Sequence, residues 1–347
     1  MQVATPQTRP ARVDDRSAWV ASDFPTPASY RRELTPQMQA ELAEVASDAL
    51  KRERVLNEIG FREITLPATS QMLLAAYDDI ENGCGFAVLG GLPVAEWGEE
   101  LSRAALCIIG SYFGEISLQN REGEFVLDVI DKSAPYDSQF RGYHSNAFLE
   151  FHNDGTNIVA LMCMETARQG GESLLISATT VYNELSTSRP DLIPVLMRGY
   201  RHSRRNQALP GQAPVMENAT PVFSFIDGVF HNCYSRISID SSLQQGLIQS
   251  DEEREALDAI DAILELPGLA LNMEFRQGDI QLVNNFTLLH SRKAFIDHSP
   301  DRRRHLMRLW LTNPQSRFNG PGKMDFYLPE HSHFLKTRGY GIFHGIA

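Results

Sequence analysis

The sequence predicts a mainly β fold with flanking helices, of the sandwich, barrel or jelly-roll kind, and three observations carry that expectation. From Glu124 onward, short β-like runs follow one another, separated by turns, a texture that suits a double-sheet or closed all-β architecture. Strand and helix never alternate as βαβ units, which disfavours a doubly wound parallel sheet. Helical periodicity concentrates in the first third of the chain and returns only in two later interruptions.

In chain order, Thr35 followed by Pro36 reads as an N-cap with proline at the first helical position. Met38, Leu42, Val45, Ala46 and Ala49 then recur at helical spacing. A second amphipathic stretch covers 70–80. Gly83, Gly85, Gly90, Gly91 and Pro93 punctuate both sides of a short apolar run, Phe86 to Leu89, which reads as a strand. A helix over 97–113 follows. Strands are then expected at 125–130, 158–164, 173–177, 222–226, 271–275, 280–283 and 306–311, with helices at 180–185 and 252–264 between them. The stretch 206–221, holding Pro210, Gly211, Pro214 and Pro221, reads as a long surface loop of the kind that forms lids.

The chain has 347 residues, 42% apolar and 22% charged, enough to bury a large core. The pattern divides it into an N-terminal helical extension, 1–82, and a core, 83–347, within one domain. Thirty-two Lys and Arg against 44 Asp and Glu give a net charge of −12. That balance speaks against a nucleic-acid partner, because phosphate binding rests on basic side chains. Cys84, Cys107, Cys163 and Cys233 form no CxxC pair, so neither a disulfide scaffold nor a zinc ribbon is expected. With no apolar run long enough for a signal or a membrane span, the expected location is cytoplasmic and the expected partner a small molecule. Nothing in the sequence speaks against a homo-oligomer.

His152 and Asp154 stand two apart in Phe151-His152-Asn153-Asp154-Gly155. On a strand, such positions point the same way and can offer an imidazole and a carboxylate to one ion. A turn stabilised by Asp154 and Gly155 explains the same residues. His290 ends the run Asn284-Asn285-Phe286-Thr287-Leu288-Leu289-His290, read here as the end of the strand that begins after Gly278-Asp279. Taken alone it reads as a core histidine. Two His and one carboxylate around Fe(II) leave positions open for substrate and dioxygen. In Arg304-His305-Leu306-Met307-Arg308-Leu309-Trp310, period two sets Arg304, Leu306, Arg308 and Trp310 on one face. Two arginines on one strand face ask for an anion, since Arg is seldom buried unpaired. Arg302 and Arg303 read as a basic sheet edge, and Arg201, Arg204 and Arg205 as a solvated face.

In this order, with Gly85 to Pro93 ahead and Gly170-Gly171-Glu172-Ser173 between, the motifs resemble the taurine dioxygenase and clavaminate synthase-like branch of the Fe(II)/2-oxoglutarate oxygenases. The resemblance covers 83–313. It implies a double-stranded β-helix, a jelly roll with helices outside, and an iron held by His152, Asp154 and His290. It implies that Arg304 pairs with the distal carboxylate of 2-oxoglutarate, assisted by Ser173, and that Arg308 meets an acidic group of the substrate. The implied reaction consumes dioxygen and 2-oxoglutarate, releases succinate and carbon dioxide, and hydroxylates, desaturates or cyclises a small acid-bearing substrate. Asp154 occupies the carboxylate position, which disfavours halogenation. Two rivals stand beside this reading. One is a zinc hydrolase on His152, Asp154 and another histidine such as His144, which leaves Arg304 and Arg308 unexplained. The other is a non-catalytic jelly-roll binding protein. Stretches 132–150, 206–221 and 319–328 are the expected specificity walls.

Overall fold

A computed structural model describes residues 10–318, apart from 55, 57–59, 61–62, 121, 134–141 and 209–210. The expected specificity stretch 319–328 therefore lies outside the described residues, as do parts of the other two. Fifteen strands lie among the described residues: β1 (Arg31–Glu33), β2 (Phe86–Gly90), β3 (Glu115–Ser117), β4 (Val126–Ile130), β5 (Leu149–His152), β6 (Ile158–Glu165), β7 (Gln169–Gly170), β8 (Ser173–Ser177), β9 (Phe223–Ile226), β10 (Val229–Asn232), β11 (Leu271–Met273), β12 (Ile280–Asn284), β13 (Leu288–Arg292), β14 (Phe295–Ile296) and β15 (His305–Thr312). The α-helices are α1 (Pro36–Lys51), α2 (Ser70–Glu81), α3 (Val94–Gly110), α4 (Ala178–Ser188), α5 (Ile193–Arg198), α6 (Arg236–Gln244) and α7 (Asp251–Leu264).

The strands build a jelly roll of two facing sheets. A seven-stranded sheet runs β1-β2-β12-β6-β15-β3, with β4 also paired to β15, and a four-stranded sheet runs β11-β8-β13-β5. Period two then sorts the side chains of each strand. On β15, Met307, Leu309 and Leu311 join a core with α1, α2 and α3, including Leu42, Leu73 and Ile109. Leu306, Arg308 and Trp310 point the other way, between the sheets. There Trp310 packs with Phe86, Val159 and Val283 of the large sheet and Leu175, Leu271 and Leu288 of the small one. The outer face of the small sheet, through Ile176 and Leu289, is covered by α4, α5 and α7. One end of the inter-sheet space is thus filled with apolar side chains, and the other end is left for a cavity.

Most expected elements form, the first with its cap where Thr35-Pro36 placed it and α7 with a cap that was not expected. Thr35 Oγ1 accepts from Met38 N at 3.3 Å at the start of α1, and Ser250 and Glu253 make a capping box on α7. Three differences matter. The strand after Gly278-Asp279 stops at Asn284, and His290 lies in the middle of a separate strand, β13, in the other sheet. The turn at 285–287 hides this break, because Phe286, Leu288 and Leu289 keep the run apolar. β1 was not expected from Arg31, Arg32 and Glu33; it forms as a polar edge strand parallel to β2, where Arg31 makes a buried ion pair with Asp279. Helix α3 starts at Val94, three residues before the expected 97, and is broken at Gly98, whose φ is 70°. A segment ahead of β1 is stitched to the distant start of α4: Val13 N donates to Asn183 Oδ1 at 2.8 Å, Ser177 Oγ to Ser17 O at 2.5 Å, and Thr180 Oγ1 to Trp19 O at 2.8 Å.

Candidate metal and co-substrate site

β5 and β13 are antiparallel neighbours, and their register sets His152 opposite His290. The two rings lie 4.4 Å apart between centroids, and Asp154, just past the end of β5, places Oδ2 3.9 Å from His290 Nε2. One donor atom from each of the three residues falls within 4.8 Å of the others. The expected trio is therefore assembled at one point, and it is the one such group among the described residues. His144 does not join it; it ends a short turn of helix at Gly142–His144. His152 Nδ1 lies 2.7 Å from the Glu150 carbonyl oxygen. A proton on Nδ1 directed there leaves Nε2 with its lone pair for a metal, the usual outer-shell arrangement of a ligating histidine.

The intervening residue, Asn153, locks the turn that carries two of the three donors. Its Nδ2 donates to the carbonyls of Asn285 at 2.6 Å and Leu288 at 2.7 Å, and its Oδ1 accepts from Tyr234 N at 2.6 Å and Asn232 Nδ2 at 3.0 Å. Asn285 Oδ1 in turn accepts from Asp154 N at 3.1 Å. Sequence reasoning passed over Asn153 and Asn285 because their partners lie far away in the chain. Asn153→Ala is expected to orphan buried backbone groups and cost about 1–3 kcal/mol. Urea denaturation of the metal-free protein measures this loss, and an Fe(II) titration should show weaker binding alongside it.

Charge is arranged to suit a cation. Burial opposes ionisation of Asp154, but Arg308, the two histidines and the Trp310 indole overcome it and hold the carboxyl well below its ordinary pKa. Burial keeps both imidazoles neutral: His152 is lowered, and His290 is pushed down to about 3. Ligands that are already deprotonated release no proton on binding metal. Since both histidine pKa values lie below the ordinary 6.5, proton competition should set in at lower pH than for two ordinary histidines. Fe(II) affinity is thus expected to fall less than about threefold from pH 7 to 6, where two ordinary histidines would lose more than that. An anaerobic titration at both pH values checks it.

Arg304 lines the same cavity, which measures about 150 Å³ and is also lined by Ser173, Arg292, Arg308, Phe275 and Leu306. Arg304 is 4% exposed. Its Nη2 donates to Gly171 O at 3.2 Å, while Nη1 is buried with no hydrogen-bond partner, and burial lowers its pKa to about 10. A buried guanidinium with an unmet donor is costly unless an anion completes it. Gly171 makes the space: its φ is +78°, and a Cβ there would lie 2.8 Å from Arg304 Nε. Ser173 Oγ donates to Gln281 Oε1 at 3.0 Å.

Arg308 shares the cavity with Arg304 but has partners of its own. Nε donates to Gln119 Oε1 at 2.7 Å, Nη1 to Asp154 Oδ2 at 3.2 Å, and Trp310 Nε1 to the same oxygen at 3.0 Å. Its nearest acid is thus the buried carboxylate between the two histidines. Arg204 and Arg205, expected on a solvated face, instead line the cavity; the face they belong to is decided by the turn at 203–206, which carries no periodicity to read. Among the described residues no helix is long and apolar enough to cross a membrane.

A jelly roll with a His-x-Asp pair and a third histidine on adjacent strands of its smaller sheet defines a class of non-haem oxygenase folds. Residues 51–310 match the model of the taurine catabolism dioxygenase TauD, TfdA family, and the chain belongs to that family. It is 28% identical over 312 residues to FR-33289 synthase of Streptomyces rubellomurinus, covering 88% of this chain and 91% of that protein. Among solved structures it is similar to asparagine oxygenase in complex with Fe(II), 2S,3S-3-hydroxyasparagine and succinate, at a TM-score of 0.65 and 18% identity over 82% of this chain and 93% of the other. It is also similar to the non-heme iron oxygenase OrfP in complex with Fe and alpha-ketoglutaric acid, at a TM-score of 0.62 and 15% identity over 81% and 94% of the two chains.

Proposed function

We propose that this protein is an Fe(II)- and 2-oxoglutarate-dependent oxygenase that hydroxylates, desaturates or cyclises a small, acid-bearing organic substrate. The observation that carries the reading is the pairing, in one cavity, of the three clustered donors with a buried arginine that has an unmet donor. The donor set fits the metal: two neutral imidazoles and one ionised carboxylate are what a non-haem Fe(II) site uses. Two structural relatives, in the complexes named above, hold iron together with succinate or alpha-ketoglutaric acid.

In this reading His152, Asp154 and His290 hold the iron. Arg304 receives the distal carboxylate of 2-oxoglutarate through Nη1, and the Ser173 hydroxyl turns its proton from Gln281 to the same carboxylate. Bound there, iron with 2-oxoglutarate and dioxygen supplies the oxidation of an unactivated C–H bond, with loss of carbon dioxide and release of succinate. The chain's own part is placement. Arg308 and Trp310 hold Asp154 Oδ2, so that the carboxylate cannot rotate. Val129, Leu161, Phe275 and Leu306 line the cavity wall and keep water from the reacting carbon. Arg308 Nη2, which has no partner among the described residues, is the edge offered to an acidic group of the substrate.

The test loads the purified protein with Fe(II), adds 2-oxoglutarate without oxygen, and looks for a visible metal-to-ligand charge-transfer band. Aerobic turnover is then screened for substrate-stimulated succinate release across amino acids, peptides and small acids. No band and no succinate with any member overturns the reading. Zinc-dependent hydrolysis would favour the hydrolase instead, although His144 lies outside the donor group.

A further inference from the structure

We propose that Phe295 is a positioning residue of the co-substrate site: its ring holds the Arg304 guanidinium against a π-face and so keeps it aimed into the cavity while 2-oxoglutarate is absent. The inference rests on the iron and 2-oxoglutarate reading above and adds to it a residue behind the cavity wall rather than on it.

The first support is what the buried guanidinium has for company. Among the described residues its side chain makes one hydrogen bond, from Nη2 to Gly171 O at 3.2 Å, and Nη1 makes none. Burial opposes the charge, and the Asp297 carboxylate weighs the other way, although its Oδ1 is occupied by Arg304 N at 2.7 Å. What stands against the guanidinium itself is an aromatic ring, whose centroid lies 5.2 Å from Cζ. A ring face attracts a cation through its quadrupole, and more strongly where water is excluded. Unlike a carboxylate, it neither cancels the charge nor occupies an N–H, so both stay available to an incoming anion.

The second support is construction. Phe295 is 5% exposed and sits opposite Gly170 in the two-stranded ladder of β7 and β14. Its N donates to Asn146 O at 3.1 Å, and Gly171 N donates to Ala294 O at 3.2 Å. The Gly170-Gly171 pair lets the ladder close this far. At Gly170, with φ of +76°, a Cβ would collide with the Ala294 carbonyl oxygen; at Gly171 one would stand 3.3 Å from Phe295 Cβ and 2.8 Å from Arg304 Nε. The glycines that make room for the arginine are thus the ones that bring the ring to it. The same ring lies 4.8 Å from Arg292 Cζ, so the test must separate the two arginines.

The third support is the competing partner. Asp297 follows Phe295 by two residues and already acts on the Arg304 charge. Held on the ring, the guanidinium presents its unmet donor to the cavity. Released from it, the side chain is free to turn toward Asp297, and an arginine neutralised there has less to give a dicarboxylate. Orientation set before binding appears as affinity, because the ligand need not order the site.

The experiment titrates the anaerobic Fe(II) enzyme with 2-oxoglutarate, read by the charge-transfer band, and measures Fe(II) binding separately by calorimetry. Phe295→Leu is expected to raise the 2-oxoglutarate needed for half the band about five- to thirtyfold, with Fe(II) affinity within about twofold of the unsubstituted protein. Monofluoro- and trifluorophenylalanine placed at position 295 keep the shape of the ring but draw electrons from its face, so they should weaken 2-oxoglutarate in that order. In Arg304→Ala, where the ring has lost its cation, adding Phe295→Leu should change the titration by less than about twofold. An unchanged titration across the fluorinated series overturns the inference, and so does a Phe295→Leu loss that persists in full in Arg304→Ala, which would put the work of the ring on Arg292. Should Phe295→Leu not fold, the fluorinated series decides. Failure of the band in the unsubstituted protein is the separate outcome that removes the reading beneath it.

Discussion

Iron is expected to be lost from His290→Ala and from His152→Ala, and with it the band that anaerobic 2-oxoglutarate produces. The three donors lie within 4.8 Å of one another, and no fourth His, Cys, Asp or Glu joins the group among the described residues. Removing an imidazole leaves two donors, one of which, Asp154, already shares Oδ2 with Arg308 and Trp310. Outer-shell changes alone cost about 10–100-fold in metal affinity, so loss of a ligand should exceed about a hundredfold. His144→Ala is the contrasting variant and should keep both iron and band. Full occupancy in both ligand variants would dissolve the assignment.

The second large effect is expected at Arg304. Truncation to Ala should raise the 2-oxoglutarate requirement by roughly 2–5 kcal/mol, because a desolvated carboxylate would lose its charge-assisted partner. The band would then still form, but only at far higher 2-oxoglutarate. Lysine should rescue in part, since it supplies charge without the planar fork. Arg308→Ala should act differently: it frees the Asp154 carboxylate and weakens the substrate's hold. An unchanged 2-oxoglutarate titration in Arg304→Ala, together with its loss in Arg308→Ala, would exchange the two roles.

Local chemistry made much of this legible. Thr35-Pro36 announces its helix, because capping is settled within four residues. His-x-Asp and the Arg304–Arg308 face are equally local, being consequences of period two on one strand. Other features depend on which strands become neighbours. His290 reads as the end of a buried run, yet its strand pairs with β5 and β8, and only that pairing sets it against His152. Arg308 gives no hint that its partner is Asp154 rather than a surface acid, since the two meet across the inter-sheet space. Asn153 is the sharpest case: a polar residue between two chemically eloquent ones, whose worth lies in bonds to Tyr234, Asn285 and Leu288. Arg204 and Arg205 were hidden by their neighbours, because a basic cluster near prolines and glycines looks solvated until the turn is seen to point inward.

The segment ahead of β1 also has a history in time. Val13 bonds to Asn183, 170 residues later, and Arg31 pairs with Asp279, which lies later still. At synthesis rates of about 5–20 residues per second, these opening residues leave the ribosome on the order of ten to fifty seconds before those partners exist. For that interval Trp19, buried in the finished protein at 5% exposure, has Phe24 and then Phe86 beside it but lacks Leu271 and Leu288 of the small sheet. The strap to α4 closes over a structure assembled by later residues, whereas β1 can pair once β2 has emerged. A nascent chain stalled near its middle would thus lack the strap to Asn183 and the ion pair to Asp279, and would present Trp19 half covered to whatever chaperone is waiting.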